Sequence, residues 1–174
     1  IQNATGKYFK VVDADDWIEA DAFRKLLQSL KRMDADVIYS GFLWVFNQGQ
    51  GDKNLFRKKA EISQPFIGVL YEHNYDFDEI ADKLYMKMHN MTIKTDILRK
   101  HHILIDENCY YVDTEYITYP IPYVKTISFV NEFVYMYRIG RQGQSVGIEK
   151  MQQNETNYDK VLRSLFDFYL QLGR

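Results

Sequence analysis

The feature that most constrains the fold is a short apolar run that ends in a cluster of carboxylates. Residues 8–12 read Tyr-Phe-Lys-Val-Val and are aromatic or β-branched apart from Lys10, so we expect a short buried strand. Asp13, Asp15 and Asp16 follow within four positions. In an open α/β sheet, ligands bind beyond the carboxyl ends of the strands. The sequence therefore predicts a functional site at this acidic segment.

The spacing of the carboxylates suggests a metal ion. In extended backbone the side chains of Asp13 and Asp15 leave the same face. Hard divalent cations such as Mg²⁺ or Mn²⁺ prefer oxygen ligands, and a carboxylate pair can hold one against a diphosphate. The alternatives are that these two residues only form a turn, and that Asp16 caps a helix, because Asp16 and Glu19 have capping-box spacing.

Composition excludes several classes of function. The 174 residues are enough for one domain with a real core. The net charge is 22 − 24 = −2, so no basic field indicates nucleic acid as a partner. Cys109 is the only cysteine, which fits a reducing compartment such as the cytoplasm. Nothing resembles a signal peptide, and no apolar run approaches the ~18 residues of a membrane span.

Apolar periodicity predicts strands that alternate with helices. We expect strands at residues 8–12, 37–46, 54–62, 123–130 and 133–139, and helices at residues 19–33, 92–101 and 113–119. Asp76 and Glu79 have capping-box spacing and predict another helix start. A glycine-bearing loop covers residues 141–147, and residues 150–174 contain an amphipathic closing helix. The pattern indicates an α/β fold, a mixed sheet with flanking helices, in a single domain over residues 1–174.

Four segments, in order along the chain, resemble family 2 glycosyltransferases. Residues 12–17, Val-Asp-Ala-Asp-Asp-Trp, resemble the Asp-x-Asp motif of that family. The later segments are residues 88–92 (Met-His-Asn-Met-Thr), 111–116 (Tyr-Val-Asp-Thr-Glu-Tyr) and 137–146, which begins Tyr-Arg and contains Gly-Arg-Gln-Gly-Gln-Ser-Val. The resemblance implies a partial A-type glycosyltransferase fold, the C-terminal portion of a catalytic domain without the N-terminal nucleotide-binding strands.

The resemblance also implies an activity and roles for individual residues. Family members transfer a sugar from a nucleotide-diphosphate donor to a saccharide or other acceptor, usually with inversion and with Mn²⁺ or Mg²⁺. Asp13 and Asp15 would bind the metal and the donor diphosphate, and Asp113 would be the catalytic base. His89, together with the loop at residues 141–145, would lie near the acceptor or the product diphosphate. Independently of the resemblance, Arg138 and Arg141 could clamp a diphosphate, because a guanidinium matches its oxygens, or they could be solvated residues at the strand end. Asp16 is a further candidate for donor binding. The family motif has Glu before the base, whereas this chain has Val112. The implied location is the cytoplasm or the inner face of the membrane.

Two other functions remain open at this stage. Haloacid-dehalogenase-like phosphatases also place Asp-x-Asp after an apolar strand, but their motif has Thr two residues further on, where this chain has Trp17. The second is a non-catalytic sugar-binding or assembly module, which would have the same fold but no catalytic activity.

Asp113 could serve as a helix cap and not as the catalytic base, because it lies at the start of a predicted helix. Glu115 is the competing base, but two residues along a helix point it about 200° away, so both cannot face one substrate. If the first strands of the sheet are absent, a strand edge near residues 8–12 or 37–46 is unpaired. We then expect a homo-oligomer that forms through that edge.

Overall fold

The computed structural model describes residues 1–47, 56–140 and 148–173, which form one mixed sheet with flanking helices. Within these ranges the strands are β1 (Tyr8–Phe9), β2 (Trp17–Ile18), β3 (Val37–Asn47), β4 (Phe56–Ala60), β5 (Asn74–Asp76), β6 (Met91–Lys94) and β7 (Thr126–Ile139). The helices are α1 (Ala20–Met33), α2 (Thr95–Lys100), α3 (Asp113–Thr118), α4 (Ile148–Gln153) and α5 (Glu155–Gln171). Single 3₁₀ turns lie at Ala81–Lys83, Met88–Asn90 and Ile121–Tyr123.

The two long strands β3 and β7 lie side by side at the centre of the sheet. They run parallel, whereas the other pairings are antiparallel, in the order β1-β6-β3-β7-β2. Strand β4 also pairs with β3, and β5 also pairs with β7. The α/β fold with a mixed sheet is therefore confirmed.

Strand β7 is continuous where the sequence predicted two strands. Ser40 of β3 pairs with Val130, and Gly41 pairs with Phe133, so the ladder omits residues 131 and 132. This β-bulge explains why the apolar pattern is interrupted between residues 130 and 133. The bulge changes the pairing register there but does not end the strand. Gly41 leaves room for the ring of Phe133.

The core lies on both faces of the sheet. On one face, helix α1 buries Leu26 against Ile38 of β3 and Val134 of β7. The apolar spacing along α1 drives this packing, since the buried residues recur every three to four positions. The opposite face carries the larger cluster, which includes Val37, Ile93, Leu98, Tyr116, Ile127 and Phe129.

Four sequence-based expectations need correction. The expected buried strand at residues 8–12 is a strand only at Tyr8–Phe9, and Val12 is 43% exposed. No helix begins at Asp76, because residues 74–76 form β5 and a 3₁₀ turn follows only at Ala81–Lys83. The expected helix at residues 92–101 begins as β6, where Ile93 is fully buried between β1 and β3. Strand β3 is not an open edge, since it pairs on both sides, whereas β1 pairs with β6 alone among the described strands. Tertiary pairing overrides the local helix signals at Asp76 and at the start of the 92–101 segment.

None of the helices in the described ranges has the length and hydrophobicity that a bilayer crossing requires.

We predict that Gly41→Ala destabilises the fold by about 1–3 kcal/mol, because a new Cβ overpacks the bulge. That atom would lie 2.7 Å from Cδ1 of Phe133 and 3.3 Å from the carbonyl oxygen of Glu132. Urea denaturation of wild type and variant measures the difference. Gly6→Ala is the control, since its Cβ would meet only the carbonyl oxygen of Tyr8, at 3.4 Å, and should change stability by less than about 0.5 kcal/mol. Equal stabilities of the two variants would contradict the packing argument.

Candidate active site

The predicted acidic segment is a tight turn between β1 and β2. The amide of Asp16 donates to the carbonyl oxygen of Asp13 at 3.1 Å, with Ala14 and Asp15 at the bend. The backbone therefore reverses direction between Asp13 and Asp16, with Asp15 as a central residue of the turn. The argument from extended geometry, which placed these two side chains on one face, does not hold for a turn.

Asp16 is bound to the central strand β7. Its Oδ2 accepts a hydrogen bond from the hydroxyl of Tyr135 at 2.6 Å, and its Oδ1 accepts one from the amide of Arg138 at 2.8 Å. The same Tyr135 hydroxyl accepts from the amide of Asp13 at 3.1 Å. Asp16 is not a helix cap: α1 is capped by Glu19, whose carboxylate accepts from the amide of Ala22 at 2.7 Å.

His89 completes a cluster with two of the carboxylates. One oxygen of Asp13, one oxygen of Asp16 and one ring nitrogen of His89 lie within 4.8 Å of one another. The imidazole is 8% exposed, and neither ring nitrogen has a hydrogen-bond partner among the described residues. A buried polar group without a partner is costly, so such a group often indicates a ligand position.

Aromatic rings hold the imidazole of His89 in place. It stacks on Phe42 at 4.9 Å between ring centroids and lies 4.7 Å from Tyr135 and 4.5 Å from Tyr137. Burial, followed by the positive charges of Lys87 and Lys10, lowers the pKa of His89 to about 4. The imidazole is therefore neutral at pH 7 and can offer a lone pair to a metal ion.

Negative charge accumulates in the turn. Burial and then the charges of Asp16, Asp15 and Asp113 raise the pKa of Asp13. Burial also raises the pKa of Asp16, although the hydrogen bonds from Tyr135 and the Arg138 amide oppose that shift. Like charges at close range disfavour ionisation, so a bound cation would be stabilised here.

Lys10 is a site residue that the sequence analysis did not assign. Its Nζ donates to the carbonyl oxygens of His89 at 2.8 Å and Met91 at 3.2 Å, and lies 5.6 Å from the centroid of the Tyr135 ring. Burial lowers the pKa of Lys10 to about 7. Its signal in the sequence was a single lysine inside an apolar strand. Tyr135 was also missed, because its contact with Asp16 spans 119 residues.

A cleft of about 350 Å³ joins the acidic turn to the predicted base. Asp13, His89 and Asp113 all line this cleft. Asp113 is exposed and is the first residue of α3, whose N-cap position is Val112. Glu115 is 1% exposed and accepts from the amide of Asp106 at 2.9 Å. The two carboxylates of α3 therefore have separate environments, and only Asp113 lines the cleft.

Of the two arginines predicted to bind the donor, the structure describes only Arg138. Arg138 supplies its backbone amide to Asp16, and its guanidinium lies 5.3 Å from the centroid of the Trp17 ring. Arg141 lies outside the described residues, so its role stays a prediction.

The residues present fit a divalent cation. Asp13 and Asp16 supply the carboxylate oxygens that Mg²⁺ and Mn²⁺ prefer, and His89 supplies a neutral nitrogen, a donor more suited to Mn²⁺. Each oxygen of Asp16 already accepts one hydrogen bond but keeps a second lone pair. Asp15 lies outside this three-residue cluster and stays a predicted metal ligand.

The comparison with protein families identifies the class of protein. The family model "Glycosyl transferase family 2" matches residues 1–102, which is more than half of the chain. The chain therefore belongs to glycosyltransferase family 2. No curated protein matches the sequence.

Solved structures show the same fold. The S. aureus TarS 1–349 structure in complex with UDP-GlcNAc is 16% identical, with a TM-score of 0.59 over 82% of this chain and 37% of that chain. The complex of TarS 1–349 with UDP is 15% identical, with a TM-score of 0.56 over 80% of this chain and 38% of that chain. The chain spans less than half the length of these structures. It has a partial A-type glycosyltransferase fold, as the resemblance implied.

We predict that the stability of the chain falls by about 2 kcal/mol between pH 7 and pH 5 through His89. Its pKa is about 4 in the folded state and 6.5 in the unfolded state. The unfolded chain thus binds the extra proton as pH falls, and stability is lost from about pH 6.5 downward. Urea titrations of wild type and His89→Phe should show this pH dependence in wild type only.

The control for this prediction is His101→Phe. His101 lies outside the cleft and stacks on Tyr123 at 3.6 Å. Its replacement should leave the wild-type pH dependence in place. The same loss of stability in wild type and in His89→Phe would show that the buried imidazole is not its cause.

Proposed function

We propose that this chain carries the catalytic carboxylates of a metal-dependent, inverting glycosyltransferase. The substrates are a nucleotide-diphosphate sugar and a saccharide acceptor. The observation that carries the proposal is the cleft in which Asp13 and His89 lie with Asp113. A donor diphosphate held at the turn and an acceptor hydroxyl beside Asp113 would meet in that cleft.

The donor side of the proposal rests on the three-residue cluster. Asp13, Asp16 and His89 would hold Mn²⁺ or Mg²⁺, which when bound offsets the negative charge that develops on the leaving diphosphate. Tyr135 and the Arg138 amide fix the orientation of Asp16. Lys10 fixes the backbone of His89. Asp15 and Arg141 remain proposed donor contacts.

The acceptor side of the proposal rests on Asp113. Its carboxylate would take the proton of the acceptor hydroxyl while that oxygen attacks the anomeric carbon and the bond to the diphosphate breaks. Attack on the face opposite the leaving group inverts the anomeric configuration. Exposure of Asp113 to the cleft and burial of Glu115 support this assignment.

Family membership leaves the phosphatase alternative without support. A non-catalytic sugar-binding module stays a second candidate, because a scaffold of this fold can bind sugar without turnover.

We also keep the cytoplasm or the inner face of the membrane as the proposed location. A homo-oligomer through β1 is a further proposal, supported by its single pairing partner among the described strands.

We predict that Asp16→Asn raises the Mn²⁺ concentration for half-maximal activity more than about tenfold, because the amide loses the ionic metal contact. Sugar transfer by the protein expressed from its complete open reading frame is the assay. The single amide oxygen of asparagine can still accept from the Arg138 amide, and its NH2 group can donate to the Tyr135 hydroxyl, so the turn should persist.

Asp15→Asn is the matched variant from the same turn. If Asp15→Asn raised the Mn²⁺ concentration for half-maximal activity more than Asp16→Asn does, Asp15 and not Asp16 would be the metal ligand. Full activity in excess chelator would contradict metal dependence.

We predict that Asp113→Asn lowers kcat by about 10²–10⁴ while donor affinity and thermal stability stay near wild type. Asparagine keeps the shape of the side chain and removes its basicity. Glu115→Gln should instead affect stability, since that side chain is buried and accepts the Asp106 amide. Turnover of Asp113→Asn within a few-fold of wild type would exclude it as the base.

The donor-binding and sugar-transfer assays also distinguish a transferase from a non-catalytic sugar-binding module. A protein that binds the nucleotide sugar but neither hydrolyses nor transfers it would support the binding module.

A further inference from the structure

A second cavity adjoins the cleft on the side of Asp113. It has a volume of about 450 Å³, and its lining among the described residues is Tyr111, Met151, Gln152, Glu155 and Tyr158. Tyr111 lines both this cavity and the cleft, and it lies two residues before Asp113. Tyr111 therefore marks the boundary between the second cavity and the cleft that Asp113 lines.

The backbone of Tyr111 is strained at this boundary. Its φ angle is +69°, in the left-handed region that bulky residues rarely adopt. Such strain persists only when the surrounding structure holds it, and it is concentrated at functional sites. The ring of Tyr111 meets Tyr158 edge to face at 5.8 Å and lies 6.2 Å from Tyr110. The aromatic wall between the two cavities is thus held in one position.

Helix α5 anchors the loop that carries this wall. The side-chain oxygen of Asn157 accepts from the amide of Tyr110 at 3.2 Å. The carbonyl oxygen of Asn157 accepts from the thiol of Cys109 at 3.8 Å. The loop and helix α5, which supply Tyr111, Glu155 and Tyr158 of the lining, are therefore joined, and binding requires little ordering of these residues.

The lining has the chemistry of a neutral, hydroxyl-rich ligand. Tyr158 is 53% exposed and Met151 is 49% exposed, so both present apolar surface that a ligand can cover. Gln152 and Glu155 supply amide and carboxylate groups that can bind hydroxyls. No cation is among the described lining residues, and Lys160 of α5 is paired with Asp106 at 2.9 Å. Among the described lining residues, none would compensate the repulsion between an anionic ligand and the carboxylate of Glu155.

We propose that this cavity, defined by Tyr111, Met151, Gln152, Glu155 and Tyr158, is an acceptor subsite for a neutral saccharide. The inference rests on the proposed transferase function and specifies its acceptor class. The C–H face of a pyranose ring packs on Tyr158, its hydroxyls bond to Gln152 and Glu155, and the next sugar extends past Tyr111 to Asp113.

The test uses the protein expressed from its complete open reading frame, with neutral oligosaccharides and polyol phosphate oligomers as acceptor probes. Tyr158→Ala should raise the KM for the neutral acceptor roughly tenfold, because one stacking contact is lost. Donor KM and donor hydrolysis without acceptor should not change. Tyr169→Ala is the control, since Tyr169 is 54% exposed on the same helix but does not line the cavity.

A charge reversal that should leave the fold intact tests the acceptor class. Glu155 is exposed, and Glu155→Lys should weaken transfer to the neutral acceptor and improve transfer to the polyol phosphate. An unchanged acceptor KM in both Tyr158→Ala and Glu155→Lys would overturn the subsite. So would a wild-type preference for the polyol phosphate. A wild-type protein that neither hydrolyses nor transfers any donor would instead overturn the proposed function, and the subsite with it.

Discussion

The site depends on the attachment of Asp16 to strand β7. Two hydrogen bonds, from the Tyr135 hydroxyl and the Arg138 amide, join the acidic turn to the strand that pairs with β3 along most of its length. Strands β1 and β2, which flank the turn, have only two residues each and could not fix it alone. Bonds to a charged acceptor contribute more than neutral ones, about 1.5–3 kcal/mol each. The position of Asp13 opposite His89 follows from this attachment.

The same attachment explains how the site tolerates its charge. Four carboxylates act on one another around the turn, and burial raises the pKa of both Asp13 and Asp16. The protein offsets this repulsion in part with the Tyr135 hydroxyl and the Arg138 amide, which both donate to Asp16. His89 stays neutral between aromatic rings and adds a donor without adding charge. Such a site fits a cation, and this fit supports the proposal of metal-assisted chemistry.

Local patterns predicted much of the fold and part of the site. The helical spacing of α1, the apolar run of β3 and the carboxylates after β1 are all signals within a few residues. The separation of Asp113 and Glu115 also follows from helix geometry alone. The roles of Tyr135 and Lys10 could not be predicted, because their partners lie 119 and 79 residues away. The prediction of a helix at Asp76 was wrong for a similar reason. The pairing of β5 with β7, which is distant in sequence, outweighs the local capping signal.

The central claim is that Asp13, Asp16 and His89 form one cation site. Crystals of the protein grown with Mn²⁺ and a nucleoside diphosphate, and measured at a wavelength where manganese scatters anomalously, test it most directly. The account predicts one anomalous peak within coordination distance of a carboxylate oxygen of Asp13, an oxygen of Asp16 and a ring nitrogen of His89. A peak bound by Asp13 and Asp15 with His89 uncoordinated, or no peak at the turn, would contradict it.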